Sequence, residues 1–325
     1  MSILFRCFFV GNFSVCVYVR PDVAACVNGG INVLKRILML FMTLLLAFPA
    51  VAEEVPVLLD RINAPETAAD FAFTEDAPLL EVIFPQILNC DAILLRCGGE
   101  TMLVDCATQG QAKRIINMCK QLGVTRIDRV VNTHPHEDHI GGLRDLLKEV
   151  EVGELWICFP EDYNSHMTKA VSWAQKAGVP VVHYADGDVL TLGGATIEVW
   201  KLEGKSNELN DCSAQFYVTF GERTLLMAAD LEKTGQARYV EMKGEALDAE
   251  VLKYPHHGLE RLTDEYAEAV SPLYFVVTNN QRSTDGKKYI TRSGIPCAWT
   301  VPGFVTLTTD GTTWLVDRIP SEVKY

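Results

Sequence analysis

The sequence predicts an α/β fold in which two β-sheets pack face to face and helices cover their outer surfaces. Short apolar segments of strand length recur along the 325-residue chain, and segments with helical periodicity interrupt them. The apolar composition of 48% supplies enough side chains for a sizeable core. Strands that come mostly in two consecutive sets, each interrupted by helices, favour two sheets with helices outside.

The N-terminal region has the residue order of a secretory signal peptide. Lys35 and Arg36 precede an apolar run at 37–48, and the sequence PAVA at 49–52 gives an A-x-A end before Glu53. That run is shorter than the roughly 20 residues that a membrane span needs. We therefore expect an N-terminal extension within 1–52 that includes a signal peptide at 33–52, a secreted or periplasmic protein, and no permanent membrane anchor. Residues 33–36 already form an ordinary signal-peptide start, so we expect translation to begin at Val33.

Export gives the first testable prediction, which is cleavage after Ala52. N-terminal sequencing of protein from the culture medium or periplasm should begin at Glu53. A membrane-bound form that retains residues 33–52 would contradict this expectation.

The charge of the exported chain limits its partners. Residues 1–52 contain four basic residues and one acidic residue, so the remaining chain carries a net charge of −16, against −13 for the full sequence. An acidic protein repels polyanions and anionic membranes. We therefore expect no stable binding of duplex nucleic acid, and a small-molecule or short substrate; the sequence leaves the oligomeric state open.

The seven cysteines after residue 52 are scattered, odd in number and without a C-x-x-C pair, so they do not indicate a disulfide framework or a zinc knuckle. A single bridge such as Cys90–Cys97 is left open.

Residues 53–77 have weak periodicity and predict a linker, followed by one domain over 78–325. In the first half of that domain, Gly98 and Gly99 mark a hairpin, and Gly123 closes a helix. Strands are predicted at 79–84, 91–96, 101–105, 129–132 and 155–157, and helices at 111–122, after Gly142, and at 165–177.

The second half continues the alternation of strands and helices. A helix is predicted at 233–242, and another between residues 252 and 274. The C-terminal region predicts a short β-meander at 296–300, 304–308 and 313–317, in which Asp310 and Gly311 form a turn. The remaining strands are predicted at 179–183, 196–201, 214–220, 224–227, 250–252 and 274–278.

Five of the seven histidines fall in two short segments. Residues 134–139 read HPHEDH and follow the apolar strand that ends in Val130 and Val131. His134 and His136 are two positions apart, so in an extended chain their rings project to the same side. Imidazoles together with a carboxylate suit Zn²⁺, Mn²⁺ or Fe. A solvated polar loop does not explain three histidines directly after a buried strand, so the segment predicts a metal site.

Two further segments place metal-binding side chains at strand ends. The strand before His256 and His257 delivers this pair next to Gly258. Asp230 ends the apolar segment 224–229, where a buried carboxylate is costly unless it is paired or binds a metal. Asp230 can also cap the helix that follows it.

With these residues, the chain resembles the metallo-β-lactamase superfamily, and within it the metallo-hydrolase domain of ComEC-type competence proteins and their secreted free-standing relatives. The resemblance covers about residues 79–317, and H-x-H-x-D-H is its most specific motif. It implies an αββα sandwich with two mixed sheets and the site at the sheet edges. The residues that carry it are 91–95, 103–105, 134–143, 210–213, 225–232, 252–258 and 310–311.

The resemblance implies a role for each candidate residue. His257 matches the last histidine ligand of the family, and His256 would face the substrate. Many members have a further histidine before the bridging aspartate; here Asn210 and Asp211 occupy that region, so Asp211 can substitute as a ligand or the first ion is weaker. The family pattern assigns His134 and His136 to the first metal, Asp138 and His139 to the second, and Asp230 to both.

The implied activity is metal-dependent hydrolysis by an activated water, with one or two Zn²⁺ ions, or Mn²⁺ or Fe. Asp138 would orient the water and His256 would assist catalysis. Resemblance to the competence proteins favours phosphodiester bonds. A lactone, β-lactam or ester hydrolase and a non-catalytic metal-dependent binding protein are the alternatives.

Overall fold

The computed structural model describes residues 56–204 and 208–321, together with the backbone of two N-terminal strands, β1 (Arg6–Val10) and β2 (Phe13–Val17), which pair antiparallel. The expected signal peptide at 33–52 and the expected start at Val33 lie outside the described residues. The main unit begins at Pro56.

Nine strands form the first sheet of the main unit. Its order is β3-β18-β17-β4-β5-β6-β7-β8-β9, and strands β6 to β9 run parallel. The strands are β3 (Leu58–Asp60), β4 (Leu80–Phe84), β5 (Ile93–Cys97), β6 (Glu100–Val104), β7 (Arg126–Asn132), β8 (Glu151–Ile157), β9 (Val181–His183), β17 (Phe304–Thr309) and β18 (Trp314–Ile319).

Seven strands, β10 to β16, form the second sheet in sequence order. Strands β10 to β13 pair antiparallel and strands β13 to β16 pair in parallel, so this sheet is also mixed. The strands are β10 (Val189–Leu192), β11 (Ala195–Trp200), β12 (Gln215–Phe220), β13 (Arg223–Met227), β14 (Val251–Lys253), β15 (Tyr274–Val277) and β16 (Cys297–Trp299).

Helices cover the outer face of each sheet. Helices α1 (Ala112–Gln121), α2 (Glu137–Ile140), α3 (Leu143–Glu149) and α4 (Ser165–Ala177) follow strands of the first sheet, and α5 (Lys233–Lys243), α6 (Asp264–Val270) and α7 (Asp285–Ser293) follow strands of the second. Local sequence sets the helix ends. The Asn164 side chain accepts hydrogen bonds from the backbone of His166 and Met167 to begin α4, and Gly178 ends it with a left-handed backbone.

Side chains that alternate between the two faces of each strand build the buried layers of the fold. In β5, Ile93 and Leu95 join the core between the sheets, whereas Leu94 faces the outer core beneath α1, α3 and α4. The second sheet has its own outer core, in which Tyr239 of α5 and Tyr266 of α6 are buried. Three buried layers between four layers of secondary structure confirm the predicted αββα sandwich.

The described part of the linker predicted at 53–77 lies within the main unit and packs against its first sheet. Strand β3 pairs in parallel with β18 at the edge of the first sheet, and Leu59 and Ala68 are buried with Leu315. The Arg61 guanidinium donates to the backbone oxygens of Ala68 and Phe71. A three-residue strand gives too weak a periodicity to be recognised from the sequence.

The predicted C-terminal β-meander is wrong. Strand β16 pairs in parallel with β15 in the second sheet, and the chain then crosses to the first sheet, where β17 and β18 form a hairpin beside β4. Three consecutive strands with turns between them look the same in sequence whether or not the first belongs to the same sheet.

All seven cysteines of the main unit are free thiols, so the Cys90–Cys97 alternative does not occur. Burial raises the pKa of Cys90 and Cys158 to about 12, which keeps both thiols protonated. No helix within the described residues has both the length and the apolar character needed to cross a membrane.

Candidate metal centre

The ends of parallel strands deliver the candidate ligands to one place. His134 follows β7, Asp230 follows β13, and His257 follows β14. Asp138 and His139 lie on the single turn of helix α2, which begins directly after the histidine-rich loop. The carboxyl ends of parallel strands meet at one edge of a sheet, and here one such edge comes from each sheet.

The ligand atoms form two groups that share one residue. In each group, the candidate ligand atoms lie within 4.8 Å of one another. Asp230 belongs to both groups, so its carboxylate is placed to serve two ions. One group consists of Asp138, His139, Asp230 and His257, and the other of His134, His136 and Asp230.

Individual distances place the carboxylate of Asp230 between the rings. Its Oδ2 lies 3.1 Å from His139 Nε2, and its Oδ1 lies 3.3 Å from His257 Nε2. His134 Nε2 lies 3.9 Å from Oδ2 and 2.9 Å from His136 Nδ1. These nitrogens converge on shared points, as ligands of one ion do.

The unsatisfied polar atoms of the centre fit a metal. His139 Nε2, His257 Nε2 and Asp230 Oδ1 are buried and have no hydrogen-bond partner. Buried polar atoms without partners are rare in native proteins, and imidazole nitrogens with carboxylate oxygens are suitable ligands for Zn²⁺. The donor set therefore fits a divalent transition metal.

Asp105 is a candidate functional residue that the sequence analysis missed. Its Oδ2 lies 2.6 Å from His139 Nδ1 and accepts from the Thr133 hydroxyl at 2.7 Å, and its Oδ1 accepts from the Thr133 amide at 2.8 Å. A carboxylate can only accept, so it fixes Nδ1 of His139 as the protonated nitrogen and leaves Nε2 free to bind a metal. The same test that singled out Asp230, an acidic residue at the end of a buried strand, would have found it.

Asp91 has the corresponding role for His257. Its Oδ1 lies 3.1 Å from His257 Nδ1, and it accepts from the Thr278 hydroxyl at 2.7 Å. Asp91 was recognised only as part of a strand, because it stands at the start of an apolar run rather than at its end.

Tight backbone geometry brings these elements together. Ala229, His256 and His257 have positive φ angles of 37°, 47° and 52°, which side-chain-bearing residues adopt only under external restraint. Gly142 packs so closely that an added Cβ would lie 2.1 Å from the carbonyl oxygen of Cys106. That approach presses the start of α3 against the loop after Asp105.

Burial and charge divide the four candidate ligand histidines into two pairs. Burial lowers the pKa of His134 well below its ordinary value and also lowers the pKa of His136, so both rings are neutral at pH 7. Burial alone would lower the pKa of His139 and His257 as well, but the Asp230 carboxylate and the acid behind each ring raise both pKa values well above the ordinary value.

Asp138 stays ionised in this setting. Its burial opposes ionisation, but the His257 ring, whose Nε2 lies 3.5 Å from Asp138 Oδ2, and the charge of His139 lower its pKa to about 2. Its side chain is 30% exposed, so it reaches the solvent side of the centre.

We predict that Zn²⁺ binding to the metal-free protein releases about two protons near neutral pH, because His139 and His257 must give up protons before they can bind the ion. Since their pKa values are raised, affinity should increase as the pH rises from about 6 to about 8. Calorimetric titration in buffers of different ionisation enthalpy measures the released protons. Binding without proton release would contradict the assigned charge states.

A protein-family model described as the metallo-beta-lactamase superfamily matches residues 86–270. The chain belongs to the metallo-beta-lactamase superfamily. The matched region contains every candidate ligand described above.

Among known proteins, the chain is 27% identical over 170 residues to ComE operon protein 3 of Bacillus subtilis (strain 168), covering 51% of this chain and 22% of that protein. It is 28% identical over 190 residues to Competence protein ComA of Neisseria gonorrhoeae, covering 58% and 25%. The matches thus span a quarter or less of the length of these relatives. A shorter stretch of 53 residues is 45% identical to hydroxyacylglutathione hydrolase of Synechococcus sp. (strain WH7803), covering 16% of this chain and 19% of that protein.

Among solved structures, the metallo-beta-lactamase fold protein YhfI from Bacillus subtilis aligns with a TM-score of 0.49 and 14% identity, over 68% of this chain and 96% of that chain.

Asp211 is the residue that the sequence analysis offered in place of the further histidine that many metallo-beta-lactamase superfamily members have. Among the described residues, it belongs to neither ligand group. Its Oδ1 accepts from the Glu232 amide at 2.9 Å, just before α5 begins. Oδ1 of Asp211 is thus engaged at the start of a helix, and the ligand role of Asp211 that the sequence analysis left open stays a prediction.

His256 lies beside the centre rather than in it. Its Nε2 is 3.9 Å from Asp230 Oδ2, and its Nδ1 is 3.5 Å from Glu232 Oε1. Its side chain is 20% exposed, whereas that of His257 is fully buried. The structure thus places His257 in the group around Asp230, and His256 at the edge that solvent reaches, where it forms a separate group with Glu232 and Glu260.

Proposed function

We propose that this metallo-beta-lactamase superfamily hydrolase cleaves phosphodiester bonds in small or short substrates. The observation that carries the proposal is the membership of Asp230 in both ligand groups, which favours a centre with two ions. Two neighbouring ions suit phosphodiesters because they can stabilise both the attacking and the leaving oxygen of an in-line displacement. Similarity to ComE operon protein 3 and Competence protein ComA agrees with the resemblance from which phosphodiester bonds were expected.

Two side chains have the chemistry that the reaction requires from the protein. Bound divalent ions would supply Lewis acidity and lower the pKa of water at the centre. Asp138, ionised and partly exposed, can accept a hydrogen bond from the attacking water and orient it. His256 can donate a proton or hydrogen bond to the leaving oxygen from the solvent side, and Glu232 near its Nδ1 can hold the ring in place.

The two ion positions are unequal. Asp138, His139, Asp230 and His257 would hold one ion with four protein ligands, whereas His134, His136 and Asp230 would hold the other with three. A three-ligand position leaves room for water or substrate, as catalytic zinc sites do. We therefore propose one tightly bound and one labile ion, with Zn²⁺ as the preferred metal and Mn²⁺ or Fe as alternatives.

A polar cleft of about 410 Å³ adjoins the three-ligand position, and His136 lines it. Its acidic lining residues are Glu208, Asp211 and Glu232. Carboxylates along this approach repel phosphate groups that the ions do not neutralise. This supports a substrate with one phosphodiester, or a single-stranded end, over a long duplex.

The proposed substrate class can be tested with a panel. We expect the Zn²⁺- or Mn²⁺-loaded protein to hydrolyse bis-nitrophenyl phosphate and short oligonucleotides faster than an acyl lactone or a chromogenic cephalosporin. The rates should depend weakly on salt, because the described residues that line the cleft include no lysine or arginine that would neutralise phosphates. Metal-free protein is the control.

An ester or lactone hydrolase is the second candidate. The acidic cleft favours an uncharged substrate, and the short match to hydroxyacylglutathione hydrolase points the same way. A lactone or cephalosporin rate well above both phosphodiester rates would overturn our proposal and favour this candidate. Absence of turnover of every ester by fully metal-loaded protein would favour a binding protein.

A further inference from the structure

Lys253 is a completely buried ammonium group behind the metal centre. It is the last residue of β14, and its side chain is 0% exposed. Its Nζ forms an ion pair with Asp91 Oδ2 and donates to the Ala229 carbonyl oxygen at 2.9 Å. A buried charge is costly and needs close partners, and here both partners adjoin candidate metal ligands.

The first partner controls the His257 ring. While Asp91 Oδ2 is paired with Lys253, its Oδ1 faces His257 Nδ1 at 3.1 Å and Thr278 Oγ1 at 2.7 Å. The carboxylate is thus held from both sides, and its plane is fixed. A fixed acceptor behind Nδ1 directs Nε2 of His257 toward Asp138 and Asp230.

The second partner controls Asp230. Ala229 directly precedes this residue and has a φ of 37°, a conformation that an alanine does not adopt without restraint. Its carbonyl oxygen accepts from Lys253 Nζ and from the backbone amide of His256, both at 2.9 Å. The Lys253 ammonium therefore holds the turn that presents the bridging carboxylate.

We infer that Lys253 is a positioning residue that links the two ligand-bearing loops, through Asp91 to His257 and through Ala229 to Asp230. This inference rests on the proposed metal centre but not on the identity of the substrate. Without the ammonium, both ligands keep their sequence neighbours but lose the group that fixes them relative to each other.

The same pair of strands offers a matched control. At their opposite ends, the buried Arg223 at the start of β13 pairs with Glu250, just before β14, at 3.1 Å. Arg223→Met removes a buried cation between the same two elements, far along the strands from the ligands. Lys253→Met removes the buried cation and puts an uncharged side chain of similar length in its place.

The experiment measures Zn²⁺ affinity by competition with a chromophoric chelator, the absorption spectrum of the Co²⁺-loaded protein, and the urea midpoint of each variant. Substituting a residue that orients a ligand weakens metal binding by about 10- to 100-fold. We expect that loss, with an altered Co²⁺ spectrum, for Lys253→Met. Arg223→Met should lose stability but bind Zn²⁺ as the unmodified protein does.

The double variant Lys253→Met/Asp91→Asn removes both buried charges and keeps the test valid if the single variant does not fold. We expect it to regain stability but to bind Zn²⁺ weakly, because the fixed carboxylate behind His257 is gone. Unmodified Zn²⁺ affinity in either Lys253 variant, or an equal loss in Arg223→Met, would overturn the inference. Unmodified protein that binds Zn²⁺ without cleaving phosphodiesters would refute the proposed function alone.

Discussion

Replacing Asp230 with asparagine is expected to remove both metal ions and abolish hydrolysis. Asp230 is shared by the two ligand groups, and neighbouring charges hold its pKa well below the ordinary value despite burial, so a full negative charge is lost from both sites. Loss of a group that only orients a ligand lowers activity by up to about 100-fold. Turnover of Asp230→Asn should fall by more than this. Elemental analysis and the phosphodiester assay measure the two effects.

Asp60 provides the control for this prediction. It is also a buried aspartate, but it lies at the end of β3, where its Oδ1 accepts from the backbone of Ile62 and Asn63. Asp60→Asn should retain both ions and full turnover. Unchanged metal content in Asp230→Asn, or equal losses in both variants, would show that Asp230 is not a ligand.

The two adjacent histidines should separate metal binding from turnover. His257→Ala is expected to lose the more tightly bound ion, because a fully buried nitrogen among three other ligands disappears. His256→Ala is expected to keep its metal and lose turnover, by about 100- to 10,000-fold if the ring acts as a general acid. Metal analysis and single-turnover rates of both variants measure these effects.

The exposed His183, which ends β9 and lies 3.5 Å from Glu161, serves as the histidine control. His183→Ala should change neither the metal content nor the single-turnover rate. If His256→Ala lost metal while His257→Ala retained it, the roles of the two residues would be exchanged.

Strand-end chemistry made most of the site predictable from the sequence. Histidines directly after the apolar strands β7 and β14, and an aspartate after β13, predicted ligands that meet at the sheet edges. Asp138 followed because it lies within the same turn as His139. Each of these side chains is costly at the end of a buried strand unless it binds something, so its presence carries information.

There are physical reasons why the sequence did not indicate the remaining features of the site and the fold. Asp91 acts through the far side of a histidine ring, a relation between distant segments that spacing along the chain does not encode. Asp105 acts on His139 in the same way, but its place at the end of a buried strand could have indicated it. Asp211 was chosen for its position before Asp230, whereas its carboxylate accepts a backbone amide at the start of α5. The sequence also does not show which strands pair with each other, because β16 joins the second sheet only by pairing with β15.

The most direct test of the central claim is anomalous diffraction from crystals of the Zn²⁺-loaded protein, measured at the zinc absorption edge. We predict two peaks about 3.5–4 Å apart, one beside Asp138, His139 and His257 and the other beside His134 and His136, with the Asp230 carboxylate contacting both. A single peak, or two peaks of which neither contacts Asp230, would contradict the bridged two-metal centre.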